Sequence, residues 1–223
     1  MNAGELPDLP RWVEAHGIAS DPESWREPLG AGFALGHDLA RLIVVAGDAE
    51  PEAVAALSRA RAEHTLLFAI EREDVAAALL GTGRTIERAI LHTLDDPSGL
   101  PDGDGVAPLD DVALAHVPPA LAGELRWALR HGTVWAAWLD GAPVSFAYAP
   151  WRSPRWFDVS VDTLSGARQL GLATIVSAAM IRDERARGRE PVWGADEGNA
   201  ASRRLARRLG FAQVDEIFVA AAR

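Results

Sequence analysis

Short apolar runs alternate with helix-like segments along this chain, and that alternation constrains the fold more than any other feature. The runs "RLIVVAG" (41–47) and "HTLLFAI" (64–70) are rich in large and β-branched apolar residues, as buried strands are. Each is followed by a segment with apolar residues at helical spacing, beginning near Pro51 and near Glu73. Strands that alternate with helices predict an α/β fold. Residues 84–94 fit a helix or a strand equally well.

The second half of the chain continues this pattern. Residues 111–117 are predicted to form a strand, and residues 118–132 a helix with Pro at its start and Gly at its end. The dipeptide Asp140-Gly141 between two apolar stretches predicts a β-hairpin. Strand, long helix, short strand, helix and strand are then expected at 156–164, 172–188, 191–195, 199–211 and 213–221.

Two segments lack a sustained periodic pattern of apolar residues. The first forty residues, rich in Pro, Gly and Trp, are predicted to wrap over the surface. Residues 95–111, acidic with Pro and Gly throughout, are predicted to be a linker. We therefore expect an N-terminal α/β region at 1–109 and a second domain at 110–223.

Composition excludes several classes of protein. The chain lacks the apolar run of a membrane span and the features of a signal peptide, so a cytoplasmic protein is expected. It contains no Cys, which excludes disulfides and thiolate chemistry. The net charge of −10 argues against nucleic-acid binding. Residues 151–223 nevertheless contain 12 Arg against 9 acidic residues, a balance that suits a compact anionic ligand.

Neither lysine nor metal chemistry is indicated. All 22 Lys and Arg residues are Arg, which excludes Schiff-base and Walker-type lysines. The 6 His residues lack the spacing of metal ligands on a helix, so no metal is predicted.

The turn "RQLGLA" (168–173) has the features of a diphosphate-binding turn. The first turn of a helix leaves backbone N–H groups unpaired, and Gly171 would let an anion approach them. Arg168 would add a planar, charged fork of donors. The turn is neither a dinucleotide fingerprint nor a P-loop, and an ordinary strand-to-helix turn fits the same residues.

In their order, these elements resemble the GNAT superfamily of N-acetyltransferases. The resemblance rests on "DVSVDTLSGARQLGLATIV" (158–176) and "PVWGADEGNAASRRLARRLGF" (191–211), and it extends over roughly residues 132–219. It implies an α/β fold with a mixed, splayed β-sheet flanked by helices, open between the strands at 156–164 and 191–195. The N-terminal α/β half would be an addition to that fold. The resemblance also implies acetyl-CoA as co-substrate, bound in the splay.

From the same resemblance, ten residues are predicted to contact the cofactor. The pantetheine arm would pair with the strand at 156–164, and the diphosphate would take the amides of the turn that follows. Asn199 would contact the pantetheine arm, although a plain N-cap role fits it equally well. The ten predicted residues are Val161, Thr163, Leu164, Arg168, Gln169, Gly171, Leu172, Ala173, Asn199 and Ser202.

Four side chains are candidates for proton transfer. Asp158 and Asp162 share one face of a strand by its period of two and are candidate bases, although the pattern also fits the polar face of an amphipathic strand. Relatives often carry a Tyr proton donor seven residues after the Asn, where this chain has Ala206. Ser202, Tyr148 or a water molecule could replace it.

The predicted function is transfer of an acetyl group from acetyl-CoA to a primary amine, on a small molecule or a peptide, by direct attack. The alternative is a non-catalytic acyl-CoA-binding regulatory module, which Ala206 favours; plain nucleotide binding is a third possibility. Neither nucleic acid nor a membrane is expected as a partner. The sequence leaves the acceptor and the oligomeric state open, a homodimer included.

Overall fold

The computed structural model describes residues 6–222, which divide into two compact units. The first unit contains the chain up to Leu91, Gly194–Asn199 and the residues from Gln213 onward. The second unit contains His92–Trp193 and Ala200–Ala212. Both units are built from separate segments of the chain, and the domain boundary expected at residues 109/110 stays a prediction.

Helices and strands alternate through the described residues. The α-helices are α1 (Val13–Ser20), α2 (Pro51–Ala60), α3 (Glu73–Leu80), α4 (Pro119–His131), α5 (Leu172–Ala186) and α6 (Ala200–Arg208). The strands are β1 (Ser24–His37), β2 (Leu42–Ala49), β3 (Thr65–Ala69), β4 (Ile86–Thr93), β5 (Val106–Pro108), β6 (Trp135–Leu139), β7 (Ala142–Tyr148), β8 (Trp156–Asp158), β9 (Ser160–Thr163), β10 (Glu190–Asp196) and β11 (Ala212–Ala220). None of these helices is long and apolar enough to cross a membrane.

The strands form two sheets, the larger one mixed and the smaller one antiparallel. A seven-stranded sheet has the order β1-β2-β3-β11-β4-β10-β8, and a four-stranded sheet has the order β5-β6-β7-β9. In the larger sheet β1 is antiparallel to β2, whereas β2 is parallel to β3 and β8 is parallel to β10. The predicted α/β class with a mixed sheet is confirmed.

Several sequence predictions agree with the structure residue by residue. Residues 86–93 form a strand, which decides between the two alternatives for that segment. The hairpin of β6 and β7 turns at Asp140 (φ 50°) and Gly141 (φ 79°). Both residues therefore have the left-handed conformation that the tight hairpin turn requires.

The prediction for the first forty residues is wrong. They include α1 and β1, and β1 is a 14-residue strand with six consecutive buried residues at its end. Glycines hide this strand in the sequence, because they are usually signals of turns. Here they allow close packing: a Cβ at Gly36 would lie 2.0 Å from the ring of Trp25, and one at Gly32 would lie 2.4 Å from the backbone N of Ala49.

The strand predicted at 111–117 is also wrong. Residues Asp111–His116 form a 3-10 helix, and the side chain of Asp110 accepts a hydrogen bond from the N–H of Ala113 (2.9 Å). This local cap satisfies the backbone without a sheet partner. Three residues of the predicted linker, Val106–Pro108, form β5 and pair with β6.

Each unit has its own apolar core. In the first unit, α2 and α3 contribute Val54, Leu57, Val75 and Leu79 to a cluster with Ile43, Leu66 and Phe68 of the strands. In the second unit, α4 contributes Ala122, Leu125 and Ala128 to a cluster with Phe146 and Tyr148 of β7. Also in the second unit, α5 packs against β6, β7 and β9.

Residues 156–163 pass from one sheet to the other at Val159. Trp156–Asp158 pair with Glu190–Val192, and the N–H of Val159 donates to the carbonyl of Val192 (2.9 Å). The next four residues pair with β7 instead. Since β8 ends one sheet and β9 ends the other, the sheets separate here. The splay expected beside this strand is therefore present.

Candidate functional site

The turn predicted to bind an anion leads directly into α5. Gly171 is the N-cap residue, with a left-handed backbone (φ 80°, ψ −3°), and no side chain of the described residues caps this helix start. The N–H of Thr174 donates back to the carbonyl of Gly171 (3.0 Å). The N–H groups of Leu172 and Ala173 have no partner within the helix by its geometry. This open start of a 15-residue helix suits a bound anion.

Arg168 lies in the same turn and points its guanidinium back toward β9. Its Nε donates to the carbonyl of Thr163 at 3.3 Å. Residues 168–171 are all exposed, and Gln169 also has a left-handed backbone (φ 66°). The structure thus brings five predicted cofactor residues into one exposed turn: Arg168, Gln169, Gly171, Leu172 and Ala173.

The backbone of β9 has an open edge beside this turn. The N–H of Leu164 donates to the carbonyl of Val144 on β7 (2.9 Å). Because alternate residues of an antiparallel pair make its hydrogen bonds, Val161 and Thr163 direct their backbone groups away from β7. Leu164 differs from these two predicted residues. Both of its backbone groups are paired within the protein, since its carbonyl accepts the N–H of Ala167 (2.9 Å).

Asp158 is the last residue of β8, immediately before the crossing between the sheets. Burial raises the pKa of its carboxyl to about 7, although a hydrogen bond from the Val159 amide acts in the opposite direction. A carboxyl with a pKa near neutrality can take up and release a proton at physiological pH. Asp158 is therefore electrostatically suited to act as a general base.

Tyr148 and Asp162, two further predicted residues, lie in direct contact. The buried Tyr148 hydroxyl donates to Oδ2 of Asp162 at 3.0 Å, and it lies 3.3 Å from Oε2 of Glu124. Burial and the two neighbouring carboxylates raise the pKa of this hydroxyl well above its ordinary value. Tyr148 therefore keeps its proton at neutral pH.

Glu124 is a residue that the sequence analysis missed. It lies on α4, where nothing in the local sequence distinguishes it from an ordinary helix-surface carboxylate. Only the packing of α4 on β7 brings it to Tyr148. Partial burial, and then the charge of Asp162, raise the pKa of Glu124.

The remaining predicted residues lie on or beside α6. Ser202 accepts a hydrogen bond from the indole N–H of the buried Trp193 (2.9 Å), so it is not a member of the cluster around Tyr148. Asn199 directly precedes α6, and its N–H donates to the carbonyl of Asp196 (2.8 Å). Ala206, at the position where relatives often have Tyr, is completely buried.

One group of side chains in the first unit has the spacing of metal ligands. Ligand atoms of Asp21, Glu23 and His37 lie within 4.8 Å of one another. Nδ1 of His37 accepts the N–H of Ala40 (3.1 Å), which leaves the ring proton on Nε2, 3.5 Å from Asp21. A protonated Nε2 cannot bind a metal, so this group is not assigned as a metal site.

Comparison with known proteins decides the family of the second half of the chain. Residues 129–219 match the family model of the GNAT acetyltransferases. These residues form a GNAT acetyltransferase domain. The match includes β7, the crossing at Val159, α5 and its Gly171 cap, so the family resemblance inferred from sequence is confirmed.

Solved structures share the fold of this chain over nearly its whole length. A GCN5-related N-acetyltransferase-like protein from Streptococcus suis is 18% identical, with a TM-score of 0.71 over 100% of this chain and 96% of that chain. A GCN5-related N-acetyltransferase from Kribbella flavida is 19% identical, with a TM-score of 0.65 over 95% and 93% of the two chains. A GNAT-family protein from Novosphingobium aromaticivorans is 22% identical, with a TM-score of 0.65 over 96% of each chain. No curated protein matches this sequence.

Proposed function

We propose that the chain is an acetyl-CoA-dependent N-acetyltransferase that acetylates a primary amine by direct attack. One observation carries the proposal: the open start of α5 and the open edge of β9 adjoin each other, joined by the hydrogen bond from Arg168 to Thr163 (3.3 Å). The helix start suits a diphosphate, and the strand edge suits a chain of amide groups. These are the two polar parts of acetyl-CoA.

The residues of this chain fit those two parts by their own chemistry. The amides of Leu172 and Ala173 and the guanidinium of Arg168 would bind the diphosphate. The backbone groups of Val161 and Thr163 would pair with the pantetheine amides, as an added strand pairs with a sheet edge. Gln169, Leu164, Asn199 and Ser202 stay predicted cofactor contacts. Acetyl-CoA supplies the activated thioester for the reaction.

Asp158 is the proposed general base. It accepts one proton from the substrate ammonium, which frees the nitrogen lone pair to attack the thioester carbonyl carbon. The C–N bond forms and the C–S bond breaks. The nitrogen then loses a second proton and the thiolate takes one up, so that the products are an N-acetylamine, the CoA thiol and one released proton.

Water is the proposed proton donor to the departing thiolate. The hydroxyl of Tyr148 already donates to Asp162, and Ser202 lies against Trp193. Ala206, in place of the tyrosine of many relatives, has no proton to give. A thiol has a pKa of about 8.5, so its conjugate base needs little assistance from a dedicated acid.

Turnover with acetyl-CoA and a panel of amines tests the proposal. We expect thiol release that depends on an amine, together with a product of the mass of the acetylated amine. CoA-induced thermal stabilisation without turnover would instead support a non-catalytic acyl-CoA-binding regulatory module, the alternative that the buried Ala206 favours. Equal stabilisation by ADP and CoA would support plain nucleotide binding.

A further inference from the structure

Three side chains from three elements of the second unit meet on the α4 side of the four-stranded sheet. Tyr148 of β7 is 5% exposed, and its hydroxyl lies between Asp162 of β9 (3.0 Å) and Glu124 of α4 (3.3 Å). We call these three residues the carboxylate cluster. Phe146 is opposite Asp162 in the register of the two strands, and it packs with α4 residues. This register places Asp162 on the face that α4 covers.

The carboxylate cluster has one donor proton for two carboxylate acceptors. A tyrosine hydroxyl donates a single hydrogen bond, and here it is directed to Asp162. Oε2 of Glu124 lies 3.3 Å from the same hydroxyl, so the two carboxylates compete for its one proton. A group with several N–H donors and a positive charge would satisfy both carboxylates at once. An ammonium group is such a donor.

The charges in the cluster favour the same kind of ligand. Partial burial and the charge of Asp162 both raise the pKa of Glu124, because two carboxylates at one site repel each other. A bound cation would remove that repulsion. The cluster also adjoins the proposed cofactor track, because Asp162 lies between Val161 and Thr163, the two residues whose backbone groups face the open edge of β9.

The reacting nitrogen cannot be the group that the cluster binds. Two carboxylates favour the charged form of an amine, whereas attack on a thioester requires the neutral form. Asp158, four residues before Asp162, is the group suited to accept the proton of the reacting amine. Four residues of chain span at most about 14 Å between Cα atoms, and the two residues lie in different strands, so the two carboxyls would contact different parts of one acceptor.

We infer that Glu124, Asp162 and Tyr148 bind a second cationic group of the acceptor, and that the acceptor is a diamine or polyamine. This inference rests on the proposed function and deepens it. The cluster holds the ammonium that does not react, and the other amine of the same molecule lies toward Asp158 and is acetylated. A monoamine of the same length can occupy only one of the two positions.

Kinetics with matched amines test the inference. Linear diamines from diaminopropane to diaminohexane are compared with the corresponding alkyl monoamines, at saturating acetyl-CoA. We expect a preference for diamines in kcat/KM that Glu124→Gln and Asp162→Asn remove, by a rise in KM of about tenfold for the loss of one charge-assisted hydrogen bond. The readout is the ratio of kcat/KM between each diamine and the monoamine of the same length. The Kd of CoA, whose proposed contacts do not include these two side chains, checks that each variant is folded. Tyr148→Phe should raise KM for diamines and leave the pH profile of kcat unaltered.

Asp140→Asn is the matched control, because it also removes one negative charge, from an exposed turn of the same unit. Titration calorimetry of each diamine of the series into the CoA complex separates this inference from the proposed function. If the wild type binds diamines, both cluster variants lose that binding and no protein shows turnover, the carboxylate cluster is a diamine site but the proposed acetyltransferase activity is rejected. Equal kcat/KM values for diamines and monoamines of the same length in the wild type would overturn the inference. Unaltered diamine binding in both cluster variants would also overturn it.

Discussion

At the scale of single residues, Asp158 couples the proposed chemistry to the stability of the fold. Its pKa is raised from 3.8 to about 7, so the folded protein binds this proton more tightly than the unfolded chain does. The free energy of unfolding therefore falls as the pH rises from about 4 to about 7, and it stays lower above that range. The same shift makes the carboxylate a base that is half ionised near neutral pH.

Asp158→Asn should gain stability while it loses activity. Above pH 7 the variant avoids burial of a charge, and we expect a gain on the order of 2 kcal/mol at pH 8 and little change at pH 4, measured by urea unfolding. The loss of a general base should lower kcat by about 100-fold or more. In the wild type, kcat/KM should rise up to about pH 7 and then level off. The control Asp140→Asn should change neither quantity, and a stability gain in Asp158→Asn that is independent of pH would contradict this account.

Gly171 and Gly188 form a natural pair for a test of the anion site. They lie at opposite ends of α5 and have nearly equal φ angles (80° and 83°), and a Cβ added at either residue would meet no neighbouring atom within 4 Å. Replacement by Ala should therefore cost each variant about 1 kcal/mol of stability. Only Gly171→Ala should also weaken CoA binding, because only that turn is proposed to bind it. Unaltered CoA affinity in Gly171→Ala, measured by titration calorimetry, would reject the assigned turn.

The geometry of the candidate site could be predicted from the sequence only where that geometry is local. Gly171 and Arg168 were predictable because the turn, its open amides and its charge all lie within six consecutive residues. Glu124 was not, because α4 is a separate element and its contact with Tyr148 depends on tertiary packing. The raised pKa of Asp158 depends on burial, which the alternating strand pattern does not reveal.

At the scale of elements, a buried carboxylate fixes the second half of α5. Glu184 is 1% exposed, and it accepts hydrogen bonds from Arg152 (2.7 Å), after β7, and from Arg189 (2.7 Å), before β10. Burial alone would raise the pKa of Glu184, but the two guanidinium groups outweigh that effect and lower it. Hydrogen bonds to Glu184 thus connect α5, which begins at the proposed cofactor site, to the segments that follow β7 and precede β10.

Glu184→Gln should destabilise the protein strongly at neutral pH. The substitution leaves two partly buried guanidinium groups without their counter-charge, and we expect a loss of roughly 3 kcal/mol. Because the pKa of Glu184 is lowered in the folded state, its stabilisation is present above about pH 4.5 and is lost at lower pH. The difference between wild type and variant in urea unfolding should therefore shrink below pH 4. Glu190→Gln, which breaks a more exposed pair with Arg185, should cost at most about 1 kcal/mol.

Element prediction succeeded where the residues that end an element are distinctive. The hairpin at Asp140-Gly141 is an example, because both residues take the left-handed conformation that the pattern predicts. It failed for β1, where Gly32 and Gly36 serve close packing rather than turns. The expected single strand at 156–164 is divided at Val159, because its two parts find partners in different sheets. Such a change of partner is a tertiary event with no local signal.

At the scale of the whole molecule, one order of elements occurs twice. The segment β2-α2-β3-α3-β4 runs strand, helix, strand, helix, strand, and the segment from β8 to β11 follows the same order with β9 added between β8 and α5. In each segment the first helix lies, along the chain, between two strands that are parallel neighbours in the sheet: β2 and β3 in one segment, β8 and β10 in the other. The starts of the two helices differ in chemistry, however. Where α5 has Gly171 as N-cap, α2 has Glu50, followed by Pro51.

We therefore predict one CoA molecule per chain. At the start of α2, the carboxylate of Glu50 would repel a diphosphate, and Pro51 has no N–H to donate. The guanidinium of Arg72 already occupies the adjacent strand end, where it donates to the carbonyls of Gly47 (2.9 Å) and Ala49 (2.5 Å). Titration calorimetry should give a stoichiometry near one, and a value near two would show that the first half also binds the cofactor.

The passage of one strand between two sheets at Val159 has a consequence for how a ligand enters. Both β8 and β9 are edge strands of their sheets, so a ligand that lies along the open edge of β9 does not displace another strand. Its amides compete with the side chain of Arg168 for the carbonyl of Thr163, but with no neighbouring strand. We therefore expect CoA binding to need little rearrangement of the protein. Its association rate should be limited by diffusional encounter rather than by a conformational change.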